Sequence, residues 1–130
     1  NIKMETGDMK QIRANLAYIE ACYNSGDMYA AGKYISLAAR LMPHDKKILF
    51  GRKGFQDSLH WSKEAHYQWE INKFLHASPA TVICSVFRMN YDKNEKMTES
   101  FKGMQIWRKI NNEWLLDLDC WTPDAFVSAE

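Results

Sequence analysis

Residues 81–121 read TVICSVFRMNYDKNEKMTESFKGMQIWRKINNEWLLDLDCW, and they decide the class of fold. Thr81 to Tyr91 is dense in β-branched and aromatic residues, Met97 to Ile110 continues in kind, and Trp114 to Trp121 closes the series before Pro123. Asp92-Lys93-Asn94-Glu95 and Asn111-Asn112 are polar turns of hairpin length. Strands joined so tightly pair antiparallel. Just upstream, Tyr67, Trp69 and Ile71 alternate with Gln68, Glu70 and Asn72, which adds a fourth strand and makes a meander.

Toward the N-terminus the period changes. Ile12, Leu16, Ile19 and Tyr23 recur at three- and four-residue steps, as on one face of a helix. Thr6 or Asp8 can cap its start, and Asn24-Ser25-Gly26-Asp27 ends it, glycine accepting the left-handed backbone at the exit. Asp27 then opens a short second helix to about Tyr34. Leu37 to Met42 and Lys47 to Phe50 read as two short strands of a hairpin, stopped by Pro43 and Gly51. Arg52 to about Ser62, with Phe55 and Leu59 inward, reads as a third helix. The order is helix, helix, hairpin, helix and meander: an α+β domain.

Composition narrows the partners. At 130 residues the chain is one domain, 1–130, able to bury a core without staples. Its formal net charge of +1 gives no field that favours nucleic acid or an anionic membrane surface. The longest apolar runs, such as Trp114-Leu115-Leu116, fall far short of the roughly 20 residues needed to span a bilayer. Cys22, Cys84 and Cys120 are an odd, widely spaced set inside apolar patterns, so reduced structural thiols and a cytoplasmic location are expected.

Particular residues add a resemblance. Tyr18 to Asp27 looks like the end of the first helix in nuclear transport factor 2 and its relatives. Leu41-Met42-Pro43 with Phe50-Gly51-Arg52-Lys53-Gly54-Phe55 resembles their strand, turn and following helix start. Met104 to Lys109 and Asn112 to Trp121 look like the closing hairpin of the SnoaL-like branch, with a tryptophan on each strand. The match spans roughly residues 9 to 122. It implies the NTF2-like cone, three N-terminal helices packed on a strongly curved, mostly antiparallel sheet around a deep pocket, commonly as a homodimer. Members range from isomerases, dehydratases and cyclases to transport adaptors, so fold does not choose function.

The resemblance also proposes site residues. The carboxylate base of ketosteroid isomerase-like members falls at Met42, whose thioether has no usable basicity. Their second acid falls near Gln105, a neutral hydrogen-bond donor, and their oxyanion-binding tyrosine near Tyr18. The SnoaL-like cyclases use an aspartate on the last strand, for which Asp119 is the nearest match. Strict alternation puts Asp117, Asp119 and Trp121 on one face of that strand, so two carboxylates share it. If that face is the inner one, burial makes Asp119 an acid and base; if it is the outer one, both are surface charges.

Trp61, Trp69 and Trp107 are candidate apolar walls, and Arg88 and Arg40, in otherwise apolar strands, are candidate anchors for a ligand carboxylate or a pocket aspartate. Of the four histidines, His60 or His66 is the best placed to reach a pocket mouth, and none has metal-ligand spacing. No metal and no cofactor is expected. Two functions follow. One is a small-molecule pocket protein of the SnoaL-like type with an apolar, ring-containing ligand, either a lyase, isomerase or cyclase or a binder without catalysis. The other is a non-catalytic interaction module whose cone is plugged by side chains such as Met42, Met89 and Met104.

Overall fold

The first helix meets its local signals in full. In the computed structural model, which describes residues 5–58 and 65–124, α1 spans Gly7–Ser25. The Thr6 hydroxyl accepts the Met9 N–H at 3.2 Å, and Gly26 leaves the helix with φ of 83°. The next N–H groups turn back onto the last carbonyls, Gly26 to Tyr23 and Asp27 to Cys22. Asp27 caps α2 (Met28–Ala31), its carboxylate taking the Ala30 N–H at 2.9 Å, and a 3₁₀ turn follows at Gly32–Tyr34.

β1 (Ile35–Met42) and β2 (Leu49–Phe50) form the expected hairpin. Then α3 covers only Gly51–Gln56, shorter than the helix expected to about Ser62. Both the N–H and the hydroxyl of Ser58 donate to the Phe55 carbonyl, occupying the acceptor that a further turn would use. Residues 59–62 of that expectation lie outside the described residues. Of the three helices expected, only α1 is long, and α3 lies between the first hairpin and the meander, as the expected order has it.

β3 (Ala65–Ser78), β4 (Thr81–Asp92), β5 (Met97–Ile110) and β6 (Glu113–Pro123) form the antiparallel meander. Asn111 and Asn112 both have positive φ, as a two-residue hairpin of the primed type requires. β1 pairs in parallel with β6, so hairpin and meander merge into one curved sheet of order β2-β1-β6-β5-β4-β3.

The β3 edge is not left bare. Along one side of α1, the Asn24 amide bonds both the N–H and the carbonyl of Tyr67, the Glu20 carboxylate accepts from the Trp69 N–H, and Arg13 donates to the Ile71 carbonyl. Three helix side chains thereby occupy edge groups that would otherwise template a foreign strand. Beneath them Ile12, Leu16 and Ile19 pack against Ile35, Val82, Val86, Trp107 and Leu116 to form the core. Asn15, an amide buried on α1, donates to the Trp114 carbonyl at 2.9 Å.

One irregularity decides the chemistry of the last strand. β5 and β6 run in register from Ile110 opposite Glu113 to Trp107 opposite Leu116, after which Ile106 faces Leu118. β6 therefore carries an extra residue, Asp117, and its side-chain alternation changes phase there. The expectation that Asp117 and Asp119 share a face is corrected by this bulge. Asp117 accepts from the Ser36 hydroxyl at 2.6 Å and stands 3.7 Å from Arg108, while Asp119 turns to the inner face with Leu116.

Candidate functional site

Between α1, the β1–β2 hairpin and the inner face of the sheet lies a cavity of about 380 Å³. Its floor is buried and apolar, with Leu16, Ile19, Ile35, Leu41 and Leu116, while His44, Lys46 and Glu99 border it at the exposed end. The inner wall follows the sheet register. Trp69, Arg88, Phe101 and Pro123 are paired in turn across β3, β4, β5 and β6, and all four border the cavity. Further along β5, Gly103 contributes no side chain, and a Cβ there would run into the Cys120 carbonyl of β6. Beyond it, Gln105 is paired with Asp119.

Arg88 is held by stacking. Its guanidinium carbon lies 3.8 Å from the ring centroid of Trp121 and 4.9 Å from that of Trp69. Arg88 Nη1 is 3.8 Å from Asp119 Oδ2, close enough to feel its charge but too far for a hydrogen bond, with the two side chains 15% and 11% exposed. Nη1 is buried without a hydrogen-bond partner among the described residues. The same holds for Gln105 Nε2. The Gln105 amide cannot be reversed to relieve this, because its Oε1 accepts the Trp107 indole N–H at 2.9 Å.

Burial shapes the titration of every group here. It pushes the Asp119 carboxyl upward, against the opposing pull of the Arg88 charge and the Gln105 amide. Desolvation in turn lowers the Arg88 guanidinium, with Asp119 opposing. Tyr23, edge-on to Tyr67 and Trp69 in the aromatic wall, is pushed up to about 12 by burial and stays a neutral phenol. The result is an aromatic inner wall in which the Asp119 carboxyl, the Arg88 guanidinium and the Gln105 amide are buried together.

No protein-family model and no curated protein matches the sequence. Solved structures do match. An NTF2-like protein with a cystatin-like fold from Novosphingobium aromaticivorans superposes with a TM-score of 0.80 at 11% identity, over 94% of this chain and 85% of its own. The fold is that of the NTF2-like proteins. A ketosteroid isomerase-like protein from Erwinia carotovora atroseptica matches with a TM-score of 0.71 at 14% identity, over 92% and 98% of the two chains. A protein from Catenulispora acidiphila, solved in complex with S-DNPA, matches with a TM-score of 0.76 at 9% identity, over 97% and 100%. Such distant likenesses establish the NTF2-like architecture and leave the chemistry to the residues.

Of the residues singled out from sequence, Asp119, Gln105, Trp69 and Arg88 border one cavity. Tyr18 does not. It lies on the exposed side of α1, edge-on to Tyr34 and beside Lys33. Met42 is half-buried at the end of β1, outside the lining, and Trp107 is fully buried behind Gln105, which it orients without facing the cavity. Trp61 and His60 lie outside the described residues. His66 stacks on Tyr91 away from the cavity, and Arg40 turns over Phe50. Met42, Met89 and Met104 do not border the cavity, so they do not plug it.

Sequence reasoning missed Phe101, Tyr67 and His44. Phe101 was within reach of a register argument: a hairpin turn at residues 92–96 sets Arg88 opposite it. His44 was assigned to a turn, and only the fold of that turn over the cavity brings it to the mouth.

Proposed function

We propose that this protein binds a small, ring-containing, largely apolar molecule in the cavity and acts on it by acid–base chemistry, as a lyase, isomerase or cyclase of the SnoaL-like type. The observation that carries the reading is Asp119, a carboxyl 8% exposed in an aromatic cavity, with its pKa raised by burial. A carboxyl so placed holds a proton closer to neutrality than a surface aspartate and can both give and take it. Gln105 Nε2 donates to a substrate oxygen as charge develops on it, and Trp69, Trp121, Tyr67 and Phe101 form the walls against which a flat ring stacks. Tyr18, on the far side of α1, has no part in this scheme. The complex of a protein of the same fold with S-DNPA supports a small-molecule ligand.

The test is a thermal-shift screen of cyclic ketones, phenols and polycyclic aromatics, followed by crystallography and turnover assays of the hits. Asp119→Asn keeps the shape and removes the proton, so turnover should fall by roughly 10² to 10⁴. Unchanged turnover removes Asp119 from the chemistry.

The outer face of the sheet supports a homodimer. Leu75, Ile83, Ile106 and Leu118 are paired in turn across β3 to β6, an apolar row opposite the cavity wall. Sedimentation should give a dimer that Ile106→Glu converts to monomer; a monomeric native protein rules it out.

A further inference from the structure

We infer that the ligand of this cavity carries a carboxylate on its ring system, and that Arg88 Nη1 and Gln105 Nε2 are the pair of donors that receive it. The inference rests on the pocket reading above and names the chemical class of its ligand. Arg88 Nη1 and Gln105 Nε2 are buried donors with no well-formed hydrogen bond among the described residues, Asp119 acting on both only loosely, and each carries a desolvation penalty that a bound acceptor would relieve. Both are fixed before any ligand arrives. The Arg88 guanidinium lies over the Trp121 ring with the Trp69 ring also beside it, and the Gln105 amide is oriented by Trp107.

The nature of the acceptor follows from the donors. A guanidinium held flat presents its N–H groups in the plane of a carboxylate, and two donors match the two oxygens of one such group. The aromatic residues on either side set the rest of the molecule as flat and apolar. Asp119 does not saturate Arg88, since its nearest oxygen is 3.8 Å away. Burial pushes the Asp119 pKa up, which eases the approach of a second carboxyl. The titratable and charged groups that face this point are Arg88 on β4, Asp119 on β6, Glu99 on β5 at the mouth, and His44 and Lys46 between β1 and β2, with Tyr23 of α1 and Tyr67 of β3.

Calorimetric titration of the native protein with naphthoate and with naphthamide separates the possibilities, because the two probes share a ring and differ in the acid group. The expected result is naphthoate bound about tenfold more tightly, a preference lost in Arg88→Gln. Equal affinities overturn the carboxylate inference and leave the pocket reading standing. Binding of neither probe overturns both.

Should Arg88→Gln fail to fold, the crystal structure of the native protein with naphthoate decides in its place. A carboxylate within hydrogen-bond reach of Arg88 Nη1 supports the inference. A carboxylate turned outward to Lys46 or His44 overturns it.

Discussion

Arg88 and Asp119, on strands two places apart in the sheet, meet at 3.8 Å inside the cavity, and neither side chain has more than a small fraction of its surface in water. Removing one member of such a pair leaves the other charge buried alone, which is more damaging than removing both. Arg88→Met should therefore lower stability at neutral pH by about 3 to 5 kcal/mol, and Arg88→Met with Asp119→Leu should return to within about 1 kcal/mol of the native protein or exceed it. Urea denaturation of the two single variants and the double variant reads the coupling. Strictly additive losses would show that the two groups do not sense each other.

Gly103 is the second structural requirement of the inner wall. Its Cβ position is taken by the backbone carbonyl of Cys120, which cannot swing away as a side-chain tip could. Gly103→Ala should push β6 from β5 just where Trp121 is paired, at about 1 to 3 kcal/mol. The indole that stacks on Arg88 would shift with it, so the variant should show lower urea resistance together with altered tryptophan fluorescence. A stable variant with unchanged emission would mean that the strands adjust freely.

Much of this architecture is legible in local pattern, because its signals lie within a few residues of each other. Gly26 and Asp27 end one helix and cap the next, and Asn111-Asn112 turns the last hairpin where expected. The parallel pairing of β1 with β6 has no such signal: residues about eighty apart in sequence meet there, as Ile35 and Leu116 do. The bulge at Asp117 escapes for a related reason. Strict alternation is the default for a strand, and only the pairing with β5 reveals the extra residue. Asp119 emerged as the acid–base candidate on family resemblance while alternation left its face open, and the bulge resolves which face it takes. Trp107 was expected at the wall as one of the tryptophans, but it is fully buried in the core and supports the Gln105 amide instead.

The cysteines separate by burial. Cys84 is inaccessible, and burial pushes its thiol up to about 12, so almost no thiolate forms at mildly alkaline pH. Cys22 and Cys120 are only partly buried. Titration of the folded protein with an aromatic disulfide should therefore register at most those two, the last thiol appearing only in denaturant. Rapid reaction of all three in the native state would mean that β4 opens readily.

Glu20 offers a pH test away from the cavity. It is half-buried where α1 covers the β3 edge, and burial raises its pKa above the ordinary 4.5, outweighing the Trp69 N–H bond and the influence of His66. A carboxyl whose folded pKa is raised holds its proton longer in the native state than in the unfolded one. Its stabilising contribution is therefore complete below the unfolded pKa and is lost as pH rises through the folded value. Glu20→Gln keeps an oxygen to accept from the Trp69 N–H and has no proton to lose. Its melting temperature relative to the native protein should accordingly rise as pH climbs from below 4.5 toward neutrality. Asp119 is unchanged in both proteins, so its own shift in the same direction cancels from the difference. An offset that stays constant across that range would show that the edge-capping carboxylate is as well solvated in the fold as out of it.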